Sequence, residues 1–327
     1  MTALIAVGTA VVLLAVATPA LEALDRRRYP APGRTVVVGD VPLHVVVTGT
    51  GPVVIIDSGL GGSSAEWAKV ASDLERTCTV VRYDRPGFAW SPASPTGRAP
   101  QIVATRLRGL LDALELAGPC VLVGHSMGGL HVRLTASLFP EVVAGLVLVD
   151  PSHEDMLDGD VPSSAKVVEG VLALIALGSP LGAARIGGRL YGKVVASQAR
   201  RAPDPDTRAM ATSQTKLTLC SRRGIRAVVA EFTALRPGLA QVRELTESHP
   251  VPPVPLTVIS AAAEPRNDAE REAQQTMREL HSRHASLSPL GKQVLAEESG
   301  HLVMLDQPEL IAACVRDVLV ASGQVSA

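Results

Sequence analysis

The sequence predicts an α/β fold in which a mostly parallel sheet of eight strands is covered by helices on both faces. Two observations lead to this prediction. Short Val- and Ile-rich runs alternate along the chain with longer segments that have helical spacing. Several of these runs are apolar throughout, which is typical of strands buried on both faces of a parallel sheet. A chain of 327 residues is long enough to form one large core with an insertion.

The predicted elements follow one another in a regular order. Two runs on either side of Gly39-Asp40 predict an antiparallel hairpin. With six further runs, the predicted strands are Thr35–Val38, Leu43–Val47, Val53–Ile56, Thr79–Arg82, Cys120–Val123, Leu146–Val149, Pro255–Ser260 and Gln293–Ala296. Helical spacing predicts helices at Ser63–Glu75, Gln101–Leu116, Gly129–Leu138, Ala269–His284 and Leu310–Ala321.

Residues 152–250 interrupt this alternation. They contain helical stretches, prolines and scattered arginines but no convincing strand, so they predict a helical cap inserted after the sixth strand. The expected organisation is an N-terminal apolar segment at 1–24, a linker at 25–34, the first part of the core at 35–151, the cap at 152–250 and the second part of the core at 251–327.

The N-terminal segment is apolar enough to suggest a membrane anchor. Thr2–Leu21 carries no charged side chain, and Arg26–Arg28 follow it. About 20 apolar residues in a helix rise about 30 Å, the thickness of a bilayer's hydrocarbon layer. We expect an uncleaved transmembrane anchor, with the catalytic domain on the cytoplasmic side by the positive-inside rule. The alternatives are a signal peptide cleaved near Thr18-Pro19-Ala20, which leaves a secreted protein, and a helix of the soluble domain.

Composition and charge argue against several classes of function. The formal net charge is −1, so nothing in it favours nucleic acid as a partner. The cysteines form no CxxC pair and no histidine cluster accompanies them; they are Cys78, Cys120, Cys220 and Cys314. The chain has no Walker sequence and no G-x-G-x-x-G fingerprint. We therefore expect no cofactor and no metal, and a small molecule as substrate.

A G-x-S-x-G motif marks the candidate nucleophile. It reads Gly124-His125-Ser126-Met127-Gly128 and lies between the predicted strand Cys120–Val123 and the helix that follows. A serine in this context sits on a sharp, strained turn, and a side chain at either flanking glycine would collide with neighbouring backbone. The motif therefore favours Ser126 as a nucleophile over a structural Gly-Ser turn.

A serine hydroxyl needs a base to remove its proton. In a fold with this motif the base is a histidine near the C-terminus. Of the eight histidines, His301 fits, because it follows the last predicted strand and precedes the final helix. His125 adjoins the nucleophile in sequence, but we expect its side chain to point away from Ser126. His153 is a weaker functional candidate, since a surface or cap position explains it equally well.

Three carboxylates compete to orient the histidine. Asp150 ends the sixth predicted strand, from which an acid can reach His301. The alternative is that Asp150 has a structural role, since an Asp-Pro pair can end a strand by forming a turn. Glu264 follows the seventh predicted strand, and Asp268 lies farther along the same loop. Asp150 is the preferred acid and Glu264 the main alternative.

Two backbone N–H groups are needed to stabilise an oxyanion. Met127, directly after the nucleophile, would supply one at a helix N-terminus. Leu60 is the best candidate for the other, because Ser58–Gly62 is a glycine-rich loop after the third strand. Asp84 and Arg85 lie at another strand end, where we expect a structural ion pair rather than a catalytic one.

These landmarks resemble the α/β-hydrolase superfamily, and most of all bacterial hydrolases that carry an N-terminal hydrophobic segment. The resemblance covers roughly residues 30–150 and 250–320, and its motifs are more specific for fold than for substrate. The chain departs from the family pattern in two places. Ser58-Gly59 stands where many relatives have His-Gly, and Ala261–Glu264 occupies the usual place of an aspartate after the seventh strand. The second departure is the reason for retaining Glu264 as an alternative acid.

The expected activity is serine-dependent hydrolysis of a carboxylic ester, possibly a lipophilic one, through an acyl-enzyme on Ser126. Thioester or amide hydrolysis, perhydrolysis and acyl transfer would use the same groups, and a hydrolase-like binding protein without turnover is the alternative of another class. Epoxide hydrolases and haloalkane dehalogenases use a carboxylate nucleophile, which argues against both. Residues 167–177 predict an apolar cap helix that either covers an acyl-binding pocket or simply packs on the core.

Overall fold

The structure, a computed structural model, describes residues 2–116, 118–156, 163–200 and 205–326. Its sheet has eight strands in the order β1-β2-β4-β3-β5-β6-β7-β8. Their bounds are β1 Arg34–Val38, β2 Val41–Thr48, β3 Val53–Asp57, β4 Thr79–Tyr83, β5 Cys120–His125, β6 Val143–Val149, β7 Leu256–Ala261 and β8 Gly291–Ala296. Strand β2 is antiparallel to both β1 and β4, and all other neighbours are parallel. The predicted fold class is confirmed.

Helices cover both faces of the sheet and fill the segment between β6 and β7. They are α1 Thr2–Arg28, α2 Ala68–Leu74, α3 Pro100–Ala113, α4 Met127–Leu138, α5 Ser163–Leu177, α6 Ala183–Ala196, α7 Pro205–Gln214, α8 Arg222–Ser248, α9 Asp268–Ala285, α10 Val303–Asp306 and α11 Pro308–Ala321. In the described residues between β6 and β7, a short helical turn at Ser179–Leu181 joins α5 to α6, another at Thr215–Leu219 joins α7 to α8, and no strand is present. Residues 157–162 and 201–204 of the predicted cap lie outside the described residues.

Alternate residues of the central strands pack into two separate cores. In β5, Val121 and Val123 belong to the apolar cluster beneath α2 and α11. Leu122, between them, belongs to the cluster on the opposite face, which includes residues of α3. This is the side-chain alternation of a strand with both faces buried, and it explains why the strand sequence is apolar throughout. The sheet is therefore rigid where its C-terminal edge carries the candidate site.

Helix α1 is attached to the cap by its C-terminal half. Thr18 is buried, and a Cβ built on Gly182, between α5 and α6, would lie 3.3 Å from its hydroxyl oxygen. Glu22 pairs with Arg222 at the start of α8, and Asp25 pairs with Arg185 of α6 at 2.9 Å. The helix also continues to Arg28, four residues into the segment predicted as a linker.

The sequence predicted that the N-terminal segment crosses a membrane. Within the part of the chain that the structure describes, no helix combines the length and the apolar character that a membrane span requires. The predicted transmembrane anchor is therefore not confirmed. The acidic side chains near the end of α1, Glu22 and Asp25, are instead paired with arginines of the cap.

Candidate active site

Ser126 occupies a strained turn between β5 and α4. Its backbone has φ 51° and ψ −121°, a conformation that residues other than glycine rarely adopt. The neighbouring backbone holds it there. The N–H of Ser126 donates to the carbonyl of Val149 at 3.1 Å, and its carbonyl accepts from the N–H groups of Gly129 and Ser152, both at 3.0 Å. The side chain is half-buried at the C-terminal edge of the sheet.

The glycines of the motif are required by close backbone contacts. A Cβ on Gly124 would lie 2.5 Å from the carbonyl oxygen of Gly128. A Cβ on Gly128 would lie 2.4 Å from the carbonyl oxygen of Asp57, at the end of β3. Real Cβ atoms essentially never approach other atoms this closely. The spacing of G-x-S-x-G thus lets the start of α4 rest directly on the end of β3.

The structure brings His301 and Asp150 together. His301 follows β8, and its Nδ1 lies 2.6 Å from Oδ2 of Asp150, at the end of β6. The other carboxylate oxygen accepts from the N–H of Ala261 at 2.8 Å. Burial by itself raises the pKa of Asp150, but hydrogen bonds and positive charge from His301, His281 and Ala261 outweigh it and hold that pKa below its ordinary value. Asp150 is thus ionised, and each of its carboxylate oxygens has a hydrogen-bond partner.

A second histidine supports the first. Nε2 of His125 lies 2.9 Å from the backbone carbonyl oxygen of His301, and the two rings lie 4.5 Å apart. Burial, reinforced by the nearby His301, lowers the pKa of His125 to about 3, so its ring is neutral and donates this bond. Nothing in the sequence marked His125 for this role, because it occupies a variable position of the motif.

The carboxylate of Asp150 has a further neighbour that sequence reasoning missed. Nδ1 of His281, on α9, lies 3.9 Å from Oδ1 of Asp150. This buried ring contacts the hydroxyl of Ser260 at 2.9 Å through Nδ1 and the carbonyl of Pro151 at 2.9 Å through Nε2. The sequence carries no local sign of this contact, because His281 approaches Asp150 only when α9 has packed onto β7.

Glu264 and Asp268 lie away from the histidine. The Glu264 side chain is 88% exposed, and its carboxylate lies 3.9 Å from the guanidinium of Arg271. Asp268 is also exposed in the first turn of α9, 3.8 Å from the same arginine. Of the three carboxylates weighed from the sequence, Asp150 is the one that contacts His301.

The loop after β3 is oriented by a buried arginine. Nη1 of Arg85 donates to the carbonyl of Ser58 at 2.6 Å, and Nη2 donates to the carbonyl of Gly59 at 2.7 Å. In a trans peptide the C=O and N–H bonds point in opposite directions, so the N–H of Leu60 points away from Arg85. A Cβ on Gly59 would lie 3.1 Å from Cβ of Ser126, which places this loop against the nucleophile.

The N–H of Met127 is the second candidate donor. It belongs to the first turn of α4, where amide groups have no acceptor within the helix and carry the positive end of the helix dipole. The side chains of Leu60 and Met127 pack in the same apolar cluster, which also contains Leu239 and Val242 of α8. The two predicted oxyanion residues therefore share one apolar cluster.

Arg85 also joins the core to the cap. Its guanidinium contacts Asp57 at 2.8 Å and Glu231 of α8 at 2.7 Å, and all three side chains are buried. Although burial lowers the pKa of Arg85, the charges of Glu231 and Asp57 outweigh it and raise that pKa well above its ordinary value. The sequence predicted a structural ion pair between Asp84 and Arg85. In the structure Asp84 instead pairs with His44 at 2.8 Å, and Arg85 pairs with Asp57 and Glu231.

One group in the described part of the chain has metal-like spacing. His153, Glu154 and His284 each place one nitrogen or oxygen atom within 4.8 Å of the others. Nη2 of Arg133 donates to Oε2 of Glu154 at 2.6 Å, so a guanidinium already supplies positive charge at this carboxylate. We interpret the group as a buried ionic contact that ties α4 and α9 to the loop after β6, and we assign no metal to it.

These features define the class of protein. A model of the α/β-hydrolase fold family matches residues 52–308, and the chain belongs to this family. The resemblance predicted from the motifs is confirmed. Among solved structures, a thermophilic esterase from Thermogutta terrifontis has a TM-score of 0.64 with 22% identity, over 88% of this chain and 98% of that one. At that identity the similarity shows the fold alone.

Curated relatives match shorter parts of the chain. One, from Pseudomonas savastanoi pv. phaseolicola and provisionally named carbamate hydrolase RutD, is 38% identical over 100 residues, which is 30% of this chain and 38% of that protein. An uncharacterized protein of Mycobacterium bovis is 30% identical over 151 residues, which is 46% of this chain and 44% of that protein. The chain thus matches less than half the length of these relatives.

Proposed function

We propose that the protein is a serine hydrolase that cleaves a carboxylic ester through an acyl-enzyme on Ser126. The contact of 2.6 Å between His301 and Asp150 carries the proposal. It engages Nδ1 of the imidazole, so the remaining nitrogen, Nε2, is the one available to a hydroxyl. The strained backbone of Ser126 adds support, because it is the conformation expected of a nucleophile held on a sharp turn.

The reaction then follows from these groups. Nε2 of His301 removes the proton of Ser126 as Oγ attacks the ester carbonyl carbon. The N–H groups of Leu60 and Met127 donate to the resulting oxyanion, and loss of one such donor typically costs about 3 kcal/mol in the transition state. His301 next protonates the leaving alcohol as the C–O bond breaks. Water, deprotonated by His301, releases the acid from Ser126 in the same way.

Asp150 and His125 would position the base rather than react. A carboxylate on Nδ1 keeps the proton on that nitrogen, leaves a lone pair on Nε2 and stabilises the imidazolium that forms. The bond from His125 fixes the backbone carbonyl of His301. No step requires a cofactor.

Carbamate hydrolysis is a second candidate function. The relative provisionally named carbamate hydrolase RutD supports it, because its 38% identity extends over 100 residues. Thioester and amide hydrolysis and acyl transfer would use the same triad. A binding protein that keeps the fold without turnover would retain the geometry but form no acyl-enzyme.

Active-site labelling tests the proposal. We expect a fluorophosphonate probe to label the wild-type chain and not Ser126→Ala, with thermal denaturation showing that both are folded. A folded wild type that takes up no probe would favour the binding protein. Labelling without hydrolysis of p-nitrophenyl esters, together with ammonia release from a carbamate, would favour the second candidate.

A chain-length series then defines the ester. We propose that the acyl group is lipophilic, because the inner side of α5 contributes Leu172 to an apolar cluster with Phe88 and Leu219 beside the active-site loops. The expected result is a higher kcat/KM for p-nitrophenyl octanoate than for the acetate. A preference for acetate would contradict a lipophilic substrate while leaving the serine mechanism intact.

A further inference from the structure

The outer faces of α5 and α6 expose large aliphatic side chains. Leu177 is 80% exposed, Ile186 70% and Leu174 69%. Among the side chains that the structure describes on this part of the cap, the exposed large aliphatic residues are Val167, Val171, Leu174, Leu177, Leu181, Ile186, Leu190 and Val194. Monomeric soluble proteins rarely expose contiguous apolar patches of this kind, so the patch indicates an interaction surface.

The spacing of these residues places them on one stripe of each helix. In α5 they recur at intervals of three and four residues from Val167 to Leu177, and in α6 every four residues from Ile186 to Val194. The opposite sides of these helices are already packed, with Leu172 and Ala184 buried in a shared cluster. A surface helix normally directs polar side chains outward, so the stripes are not explained by packing of the core.

Helix α1 also exposes aliphatic side chains. Its C-terminal half lies against the turn between α5 and α6, where a Cβ on Gly182 would lie 3.3 Å from the hydroxyl oxygen of Thr18. Exposed aliphatic side chains continue along it at Val12, Leu13, Leu14, Val16, Leu21 and Leu24. We call the outer stripes of α5 and α6, together with these residues of α1, the cap face.

Positive charge accompanies the cap face. Arg189 and Lys193 are exposed on α6 among the apolar residues, and α6 contains no acidic residue. Arg26–Arg28 close α1. The nearby acids of α1, Glu22 and Asp25, are paired with arginines. Glu169 of α5 is exposed, and the basic residues Arg26–Arg28, Arg189 and Lys193 outnumber it.

We propose that the cap face binds the surface of an anionic lipid bilayer, with α5 and α6 lying in the plane of the interface. Amphipathic helices that combine aliphatic and basic side chains bind there through buried apolar area and attraction to anionic headgroups. A second copy of the chain fits less well. A two-fold interface would oppose Arg189 and Lys193 to their own copies or neighbours, and protein interfaces favour aromatic residues over the aliphatic ones exposed here.

Site-specific probes test this contact directly. The four native cysteines are buried, so a single exposed cysteine can be labelled selectively. Leu174→Cys and Leu190→Cys would carry an environment-sensitive fluorophore, with Leu290→Cys as the matched control. Leu290 is 57% exposed next to β8, outside the cap face. Each full-length variant would be mixed with phosphatidylcholine vesicles, with and without phosphatidylglycerol, containing a doxyl-labelled lipid.

We expect quenching at positions 174 and 190 in vesicles that contain phosphatidylglycerol, and none at 290. The double change Leu174→Glu and Leu190→Glu should lower partitioning into these vesicles by about tenfold or more, while Leu290→Glu leaves it unchanged. Repeating the measurements in the Ser126→Ala background separates membrane binding from the proposed catalysis, because the expected quenching needs no active nucleophile.

Two results would overturn the proposal. In one, the protein binds vesicles but the probes at 174 and 190 stay unquenched, which would assign binding to α1 alone or to another surface. In the other, fluorescence at these positions changes with protein concentration in the absence of lipid, which would assign the cap face to a second copy of the chain.

Discussion

The turn that carries Ser126 is fixed by contacts between backbone atoms, whereas contacts between side chains join the cap to the core. The turn depends on amide hydrogen bonds of 3.0–3.1 Å and on glycines that leave no room for a Cβ. The cap depends on apolar packing and on ion pairs such as that between Arg85 and Glu231. The difference indicates that the geometry of the proposed catalytic groups is set mainly by backbone contacts, and the position of the cap by side-chain contacts.

The largest expected effect comes from removing the charge of Asp150, which lies at the end of β6 in the core. Asp150→Asn should lower kcat/KM for a p-nitrophenyl ester by about 10⁴-fold, because an amide cannot hold the imidazole in the required tautomer and charge state. Glu264→Gln is the matched control and should change the rate little, since that side chain is 88% exposed. Steady-state kinetics on both folded variants measures the contrast. Equal losses would show that the selection of Asp150 is wrong.

The contact between core and cap predicts a dependence of stability on pH. Glu66 is buried between Ser58 of the loop after β3 and Gln214 of α7, and burial raises its pKa from 4.5 to about 7. Between these values the folded protein holds a proton that the unfolded chain has released, so the free energy of unfolding falls as pH rises. The shift corresponds to roughly 3 kcal/mol.

Glu66→Gln removes this titration. The variant should be more stable than the wild type at about pH 8, and the difference should vanish at about pH 4, where the wild-type carboxyl is also neutral. Urea denaturation at both values of pH measures the change. A constant difference across the range would show that ionisation of Glu66 does not limit stability.

Replacing a glycine by alanine in the turn and in the cap compares the packing of the two regions directly. Gly128→Ala should destabilise the protein by about 1–3 kcal/mol or more, because its Cβ would lie 2.4 Å from the carbonyl oxygen of Asp57. Gly170→Ala, in α5, meets no atom within 4 Å and should stabilise the protein by up to about 1 kcal/mol through helix propensity. Thermal denaturation gives both values. A tolerated Gly128→Ala would contradict the rigid packing of the turn.

Much of the fold could be predicted from the sequence, because buried strands and close backbone contacts both leave local patterns in it. Strands with both faces buried are apolar throughout, so the central strands were visible as short runs. The edge strands β1 and β8 are partly exposed and were predicted from Val- and Leu-containing runs that are less uniform. The glycines of the motif reflect close backbone contacts, which allow no substitute and therefore leave a local signal at Ser126. Helix ends were less well placed, as α1 shows by continuing to Arg28.

The remaining parts of the site depend on contacts between residues distant in sequence. The choice of Asp150 over Glu264 became possible only when β6 and the loop of His301 were side by side. The contact between Arg85 and Glu231 joins positions 146 residues apart, and the sequence marked Arg85 but not its partner. His125 was visible but had no recognisable role until its ring was seen to contact the backbone of His301.

The guanidinium shared by the loop and the cap limits how the protein can admit a substrate. Withdrawal of Glu231 would break both of its hydrogen bonds to Arg85 and leave that buried guanidinium with Asp57 as its carboxylate partner. Breaking a buried ion pair by removing one partner typically costs about 3–5 kcal/mol. The carbonyls of Ser58 and Gly59 would then lose their fixed orientation along with it. This contact therefore holds α8 against the loop after β3, so moving α8 away from that loop is a costly way to open the candidate site.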